Sequence, residues 1–185
     1  MALALQTYAT VEDAETALKA AGTRYLGGGT LVVRAANEGD VGVCTLVRST
    51  DPALTGIDIS GGKVRIGAAV TMAAVARHPD LAPLARPARA VGGPAIRNMA
   101  TVGGNLFAPS PYGDFAVALL ALGASVEAGG TTMPIEAFLT GRDDSHAIVT
   151  SVSFDLAALA GFRFLKVSRV KPKGVSVLSI AAVLG

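Results

Sequence analysis

Two glycine-bearing stretches carry the chemistry most open to reading in this chain. The first is Gly27-Gly28-Gly29-Thr30, set between a short strand-like run and an apolar helical start. Glycine has no Cβ, so the backbone N–H groups can turn towards a phosphate without obstruction. The helix that follows would add its own free N–H groups and the positive end of its dipole. Thr30 would add a hydroxyl. A tight turn accounts for the same residues equally well. The loop departs from two familiar patterns: no Lys follows it as in a P-loop, and Val32 stands where a Rossmann fingerprint needs glycine. A nucleotide bound here would need a different fold.

The second stretch is Ile96-Arg97-Asn98-Met99-Ala100-Thr101-Val102-Gly103-Gly104-Asn105-Leu106. Gly103-Gly104 permits close backbone approach, with Thr101 and Asn105 beside it as side-chain donors. Pro109-Ser110-Pro111-Tyr112-Gly113-Asp114 follows as a stiff turn ending in a carboxylate. Asp114 could accept hydrogen bonds from sugar hydroxyls, or it could cap the helix after it. Two glycine loops, a polar cluster and a carboxylate fit a large dinucleotide better than a mononucleotide.

Other residue types narrow the field. Cys44 is the only cysteine, so the chain alone can neither close a disulfide nor ligate an iron–sulfur cluster. Cys44 reads as a small buried hydrophobe. His78 and His146 are the only histidines and have no ligand-spaced partners, which argues against a metal site. Redox chemistry here would have to come from an organic cofactor. Charged residues are 16% and hydrophobic residues 51%, a composition opposed to disorder. The net charge of +2 and the 5% aromatic content give nucleic-acid binding little support. The longest apolar run, Phe115 to Val126, falls short of the ~20 residues that span a bilayer. No secretory signal is read at the N-terminus. Arg163, Lys166, Arg169, Lys171 and Lys173 form a basic run that reads as a solvated face, with docking to an acidic subunit or contact with a cofactor phosphate as alternatives. Tyr112 reads as a surface turn residue.

Several elements must position these groups. Thr10 caps a first helix whose Val11, Ala14, Leu18 and Ala21 share a face, ending at Gly22. A strand over Arg24–Leu26 leads into the first loop, and Leu31–Ala36 reads as a helix. Ile57–Ser60 and Lys63–Ile66 alternate around Gly61-Gly62, a hairpin signal. Thr71 caps a helix that stops before Pro79, and Leu81–Ala90 reads as broken helix. A buried helix is expected over Phe115–Leu122. Strands are expected over Ser125–Ala128, Ala147–Phe154, Phe162–Val167 and Val175–Leu184. Without regular βαβ alternation the class is α+β. Asp51-Pro52 marks a lobe boundary.

At these residues the chain resembles the FAD-binding subunit or domain of the molybdenum hydroxylases, the group of carbon monoxide dehydrogenase and xanthine dehydrogenase. The matching stretches are residues 26–30, 66–71, 96–106 and 111–114, then Lys166 and Ser168-Arg169. The resemblance implies a two-lobed p-cresol methylhydroxylase-type FAD-binding fold: residues 1–52, then 53–170, with 171–185 opening a third lobe that is largely absent. It implies that Leu26, Gly27, Gly28, Gly29, Thr30 and Leu31 contact FAD, the glycines and Thr30 at its pyrophosphate. Ala100, Thr101, Gly103, Gly104 and Asn105 would line the second phosphate and ribityl loop. Asp114 would bind a cofactor sugar hydroxyl, and Lys166 would lie near the flavin. Leu31 departs from the Asp or Ser usual in the family. The implied role is electron transfer in a cytoplasmic dimer of heterotrimers, with a molybdenum-cofactor large subunit and a small subunit carrying two-iron two-sulfur clusters. A stand-alone FAD oxidase of the same fold and a scaffold that has lost FAD are the alternatives.

Overall fold

The computed structural model describes residues 3–39, 42–142, 147–170 and 174–185. His146, Lys171 and Lys173 lie outside the described residues. The chain opens with β1 (Ala4–Tyr8), α1 (Val11–Leu18), β2 (Thr23–Tyr25), α2 (Val32–Asn37) and β3 (Thr45–Ser49). The three strands form a parallel sheet with β3 in the middle. β1 was not foreseen, because Ala4 to Thr7 are all exposed and carry no buried alternation to read. α1 is capped as expected, Thr10 Oγ1 accepting from the Asp13 N–H at 3.2 Å. It stops at Leu18, short of the expected Ala21, and Gly22 turns the chain with φ +73°.

After a short 3-10 turn at Pro52–Leu54 come the hairpin strands β4 (Ile57–Ser60) and β5 (Lys63–Gly67). Five α-helices follow, α3 (Met72–Arg77), α4 (Ala85–Ala90), α5 (Pro94–Met99), α6 (Val102–Leu106) and α7 (Asp114–Ala121), with a 3-10 helix at Pro79–Leu84 between the first two. Then come β6 (Ser125–Ala128), β7 (Thr131–Pro134), α8 (Ile135–Gly141) and β8 (Val149–Asp155). The antiparallel sheet runs β4-β5-β8-β6-β7. Its inner side chains Ile66, Val126 and Val152 meet Leu106, Phe115 and Leu119 of the helices, all fully buried. Each such side chain contributes about 1.5–3 kcal/mol by leaving water. The region expected only as a glycine-dense loop thus contains α5 and α6, two single-turn helices whose pattern is too short to show periodicity.

The last elements are α9 (Ala158–Gly161) and the antiparallel hairpin β9 (Phe162–Ser168) and β10 (Ser176–Val183). Alternation along β9 sends Phe162, Phe164 and Lys166 to the inner face. β10 rests on α7. The core joins α1 and β3 to the second sheet without a break. Among the described residues no helix is long and apolar enough to cross a membrane.

Candidate functional site

A cleft of about 710 Å³ opens between the first glycine loop, the second, and the C-terminal hairpin. That volume lies in the range of ligand sites. Of the residues anticipated for the site, Gly27, Gly28, Gly29, Thr30 and Leu31 line one side. Ala100, Thr101, Gly103, Gly104, Asn105, Asp114 and Lys166 line the other parts. Leu26 is the exception: it lines no part of the cleft. Its side chain lies under the loop, where Cδ1 would sit 3.1 Å from a Cβ at Gly29.

The first loop hangs from the sheet by one bond, Leu26 N–H to the Val47 carbonyl at 2.7 Å. Beyond it the N–H groups of Gly27, Gly28, Gly29, Thr30 and Leu31 donate to nothing among the described residues. The chain re-enters helical bonding with Val33 N–H to the Gly29 carbonyl at 3.1 Å. Gly29 takes φ +71°, a left-handed conformation that disfavours any Cβ. Gly28 is required for another reason: a Cβ there would run into the Met99 carbonyl. The two loops are therefore in backbone contact.

The second loop is braced where the first is open. Ala100 N–H donates to the Ile96 carbonyl at 2.7 Å, Gly103 N–H to Ala68 at 2.9 Å, and Asn105 N–H to Thr101 at 3.0 Å. Gly104 N–H donates to Thr101 Oγ1 at 3.1 Å, the N-cap of α6. A Cβ at Gly103 would stand 2.8 Å from the Ala68 Cβ, so α6 sits directly on the chain after β5. The Asn105 side chain is also engaged. Its Oδ1 accepts from the Ala116 N–H at 3.1 Å and its Nδ2 donates to the Tyr112 carbonyl at 3.4 Å. Asn105 thus caps the start of α7 from another helix.

Asp114 does not cap α7. It is that helix's first residue, and its carboxylate turns to the hairpin. Oδ2 accepts from Lys166 Nζ at 2.7 Å and Oδ1 from Ser179 Oγ at 2.5 Å. Lys166 Nζ also donates to the Ala90 carbonyl at 3.0 Å. The pairing of Lys166 with Ser179 across β9 and β10 presents both donors to one carboxylate. The side chains of Asp114 and Lys166 are only 4% and 16% exposed, so this pair is shielded from water and couples hairpin to helix firmly.

Among the described residues the cleft lining carries Arg24, Arg34 and Lys166 with one carboxylate, Asp114, and Arg142, whose guanidinium donates to the Leu106 carbonyl. Arg34 stands one turn into α2, ion-paired with Glu38 at 2.8 Å. Hydrogen bonding to Glu38, and then to Tyr112, holds its guanidinium above its ordinary pKa, so it stays cationic. Tyr112 thereby reaches across from the second loop's turn, a contact the sequence did not announce. Tyr25 also lines the cleft, and burial pushes its phenol upward, keeping it neutral. Ala68 and Ala69 join the lining from the 66–71 stretch. Only the resemblance over that stretch pointed to them.

A cleft with cations in its lining, a row of N–H groups free among the described residues and two touching glycine loops has the chemistry that suits a dinucleotide. Comparison with known proteins makes the class specific. The family described as "FAD binding domain in molybdopterin dehydrogenase" matches residues 2–154, and the chain belongs to it. FAD is its cofactor. The fold is similar to a Cu,Mo-CO dehydrogenase in its cyanide-inactivated form, with TM-score 0.84 and 22% identity over 97% of this chain and 68% of the other. Quinoline 2-oxidoreductase from Pseudomonas putida 86 gives 0.84 at 20% identity, covering 98% and 68%. The carbon monoxide dehydrogenase from Hydrogenophaga pseudoflava that lacks the Mo-pyranopterin moiety gives 0.84 at 21%, covering 95% and 67%. At these identities the likeness is one of fold.

Proposed function

We propose that this chain is the flavin-carrying electron-transfer module of a molybdenum hydroxylase-type complex. It would take electrons from an iron–sulfur partner and pass them to an external acceptor. The observation that carries the reading is the run of free N–H groups from Gly27 to Leu31 at the edge of a cationic cleft. Such a run is a receptor for a diphosphate, the group that distinguishes FAD from FMN. In this reading Gly27, Gly28, Gly29, Thr30 and Leu31 hold the diphosphate, with Thr30 adding its hydroxyl. Ala100, Thr101, Gly103, Gly104 and Asn105 form the braced wall that sets the cofactor's position. Lys166, fixed by Asp114, supplies a cation at the cleft; Asp114 acts on the cofactor through Lys166 or through a sugar hydroxyl.

Bound FAD supplies reversible one- and two-electron transfer. The chain's own contribution is to bind it, hold it in a cationic pocket and limit water around it. The partners in this reading are a molybdenum-cofactor large subunit and a two-iron two-sulfur small subunit, assembled in the cytoplasm as a dimer of heterotrimers. In this reading residues 1–52 and 53–170 are its two lobes and residues 171–185 the start of a truncated third.

Anaerobic reconstitution tests the proposal. The purified flavin-loaded chain is mixed with the complex's substrate and its absorbance followed, and the partner subunits are then added. Bleaching only after the partners arrive supports the relay. Bleaching beforehand overturns it in favour of a stand-alone oxidase.

A further inference from the structure

A second, smaller groove of about 170 Å³ lies on the far side of α5. Arg77 of α3, Arg89 of α4, and Arg97 and Asn98 of α5 line it, over an apolar base that includes Ala73 and Pro94. Arg86 stands one helical turn before Arg89 and so shares its face of α4. Between Met72 and Ala100 these four arginines face one acidic residue, Asp80, although the whole chain is nearly balanced at +2. No ion pair neutralises any of them among the described residues. Arg89 and Arg97 are oriented by backbone carbonyls, Arg89 by Ala76 at 3.3 Å and Arg97 by Arg89 at 3.2 Å and Gly92 at 2.5 Å. Arg77 and Arg86 make no hydrogen bond within the described chain.

Guanidinium groups gathered without counter-charge repel one another, and an opposing carboxylate surface relieves that repulsion. Arginine is also enriched where proteins dock. The position adds a functional argument. Ile96 of α5 faces the large cleft while Arg97 and Asn98 line the groove. One helix, about 10 Å across, is all that separates the two.

We propose that the arginine groove formed by α3, α4 and α5 is the docking surface for an acidic face of the electron-donating iron–sulfur partner. This rests on the relay reading above. A partner seated there lies one helix away from the cofactor cleft. Electrostatic attraction would speed its arrival and set its orientation.

The test is a binding titration of the flavin-loaded chain with the complex's iron–sulfur subunit, at low and at raised salt. The variants are Arg77→Glu with Arg86→Glu, and Arg163→Glu as a basic control on the hairpin. Flavin content checks that each variant is folded, and Arg77→Gln with Arg86→Gln replaces the glutamates where they prevent folding. The expected result is at least about tenfold weaker binding for the reversed groove at low salt, with a shallower salt dependence and unchanged flavin. Arg163→Glu should bind as the parent does. Equal binding by parent and groove variants, or loss only with Arg163→Glu, overturns the docking assignment alone. A parent chain that binds no iron–sulfur subunit at any salt overturns the relay reading, and this inference with it.

Discussion

The two glycine loops of the cleft look alike in sequence and do opposite work. In the first, from Gly27 to Leu31, the backbone N–H groups are free among the described residues. In the second, those of Ala100, Gly103, Gly104 and Asn105 are all bonded to the chain itself. Glycine at 29 serves a left-handed turn, whereas glycine at 103 lets α6 rest against Ala68. Gly28 belongs to both stories, because it is where the receiving loop touches the bracing one. A glycine-rich loop is thus a ligand receptor only when its donors are left over once the fold is built.

The sharpest way to break this contrast is Gly28→Ala. The new Cβ would enter the Met99 carbonyl and push the loops apart. Overpacking should lower stability by about 1–3 kcal/mol. FAD affinity should fall at least about 100-fold, or ~2.7 kcal/mol, measured by flavin titration of the apoprotein. Retained stoichiometric flavin would show that the loops are not held in contact.

Gly103→Ala should act mainly on the scaffold. Its Cβ meets Ala68, so unfolding by heat or urea should register a loss near the lower part of the about 1–3 kcal/mol range. Flavin affinity should weaken less than for Gly28→Ala. Should Gly103→Ala strip the flavin while leaving stability untouched, the bracing role is wrong.

Thr30→Val separates the loops in the other direction. Thr30 Oγ1 makes no bond within the described chain, so stability should hold. FAD should bind more weakly by about 1 kcal/mol, roughly fivefold, for one lost hydrogen bond. An unchanged dissociation constant would remove Thr30 from the cofactor site.

The smallest expected effect is a control outside the cleft lining. Glu127 accepts from Ser151 Oγ at 2.8 Å and pairs with Arg65 at 3.4 Å. The Ser151 hydrogen bond, more than the Arg65 charge, lowers its pKa. A lowered folded pKa means stability present above the unfolded carboxylate value of about 4.3 and lost as pH falls through the folded one. Glu127→Gln should therefore cost stability near neutral pH and nothing in strong acid. The side chain is 41% exposed, and solvent screening should keep the cost under about 1 kcal/mol. Flavin content should not change at either pH. A destabilisation that persists or grows in acid would contradict the assignment.

The same contrast explains what the sequence could reveal. Strand and helix positions with burial periodicity, such as the β4–β5 hairpin and α7, were legible because their apolar residues repeat. β1 and the single-turn α5 and α6 were not, because an exposed edge strand and a five- or six-residue helix leave no period. The cleft residues were found through loop composition and resemblance, which identify glycines but cannot say which N–H groups remain free. That depends on partners far along the chain, such as Ala68 for Gly103 and Val47 for Leu26. Asp114 shows the limit most clearly. Neither a cap nor a sugar contact predicted its engagement by Lys166 and Ser179, which register across β9 and β10 alone brings together.

The central claim is that the free N–H groups of the first loop receive the FAD diphosphate. Backbone amide chemical shifts, followed while the apoprotein is titrated with FAD and separately with FMN, test it most directly. The account predicts large shifts at Gly27 to Leu31 with FAD, small ones there with FMN, and small ones with either at the bonded amides of Gly103 and Asn105. Large shifts at Gly103 and Asn105 with a silent first loop would contradict it.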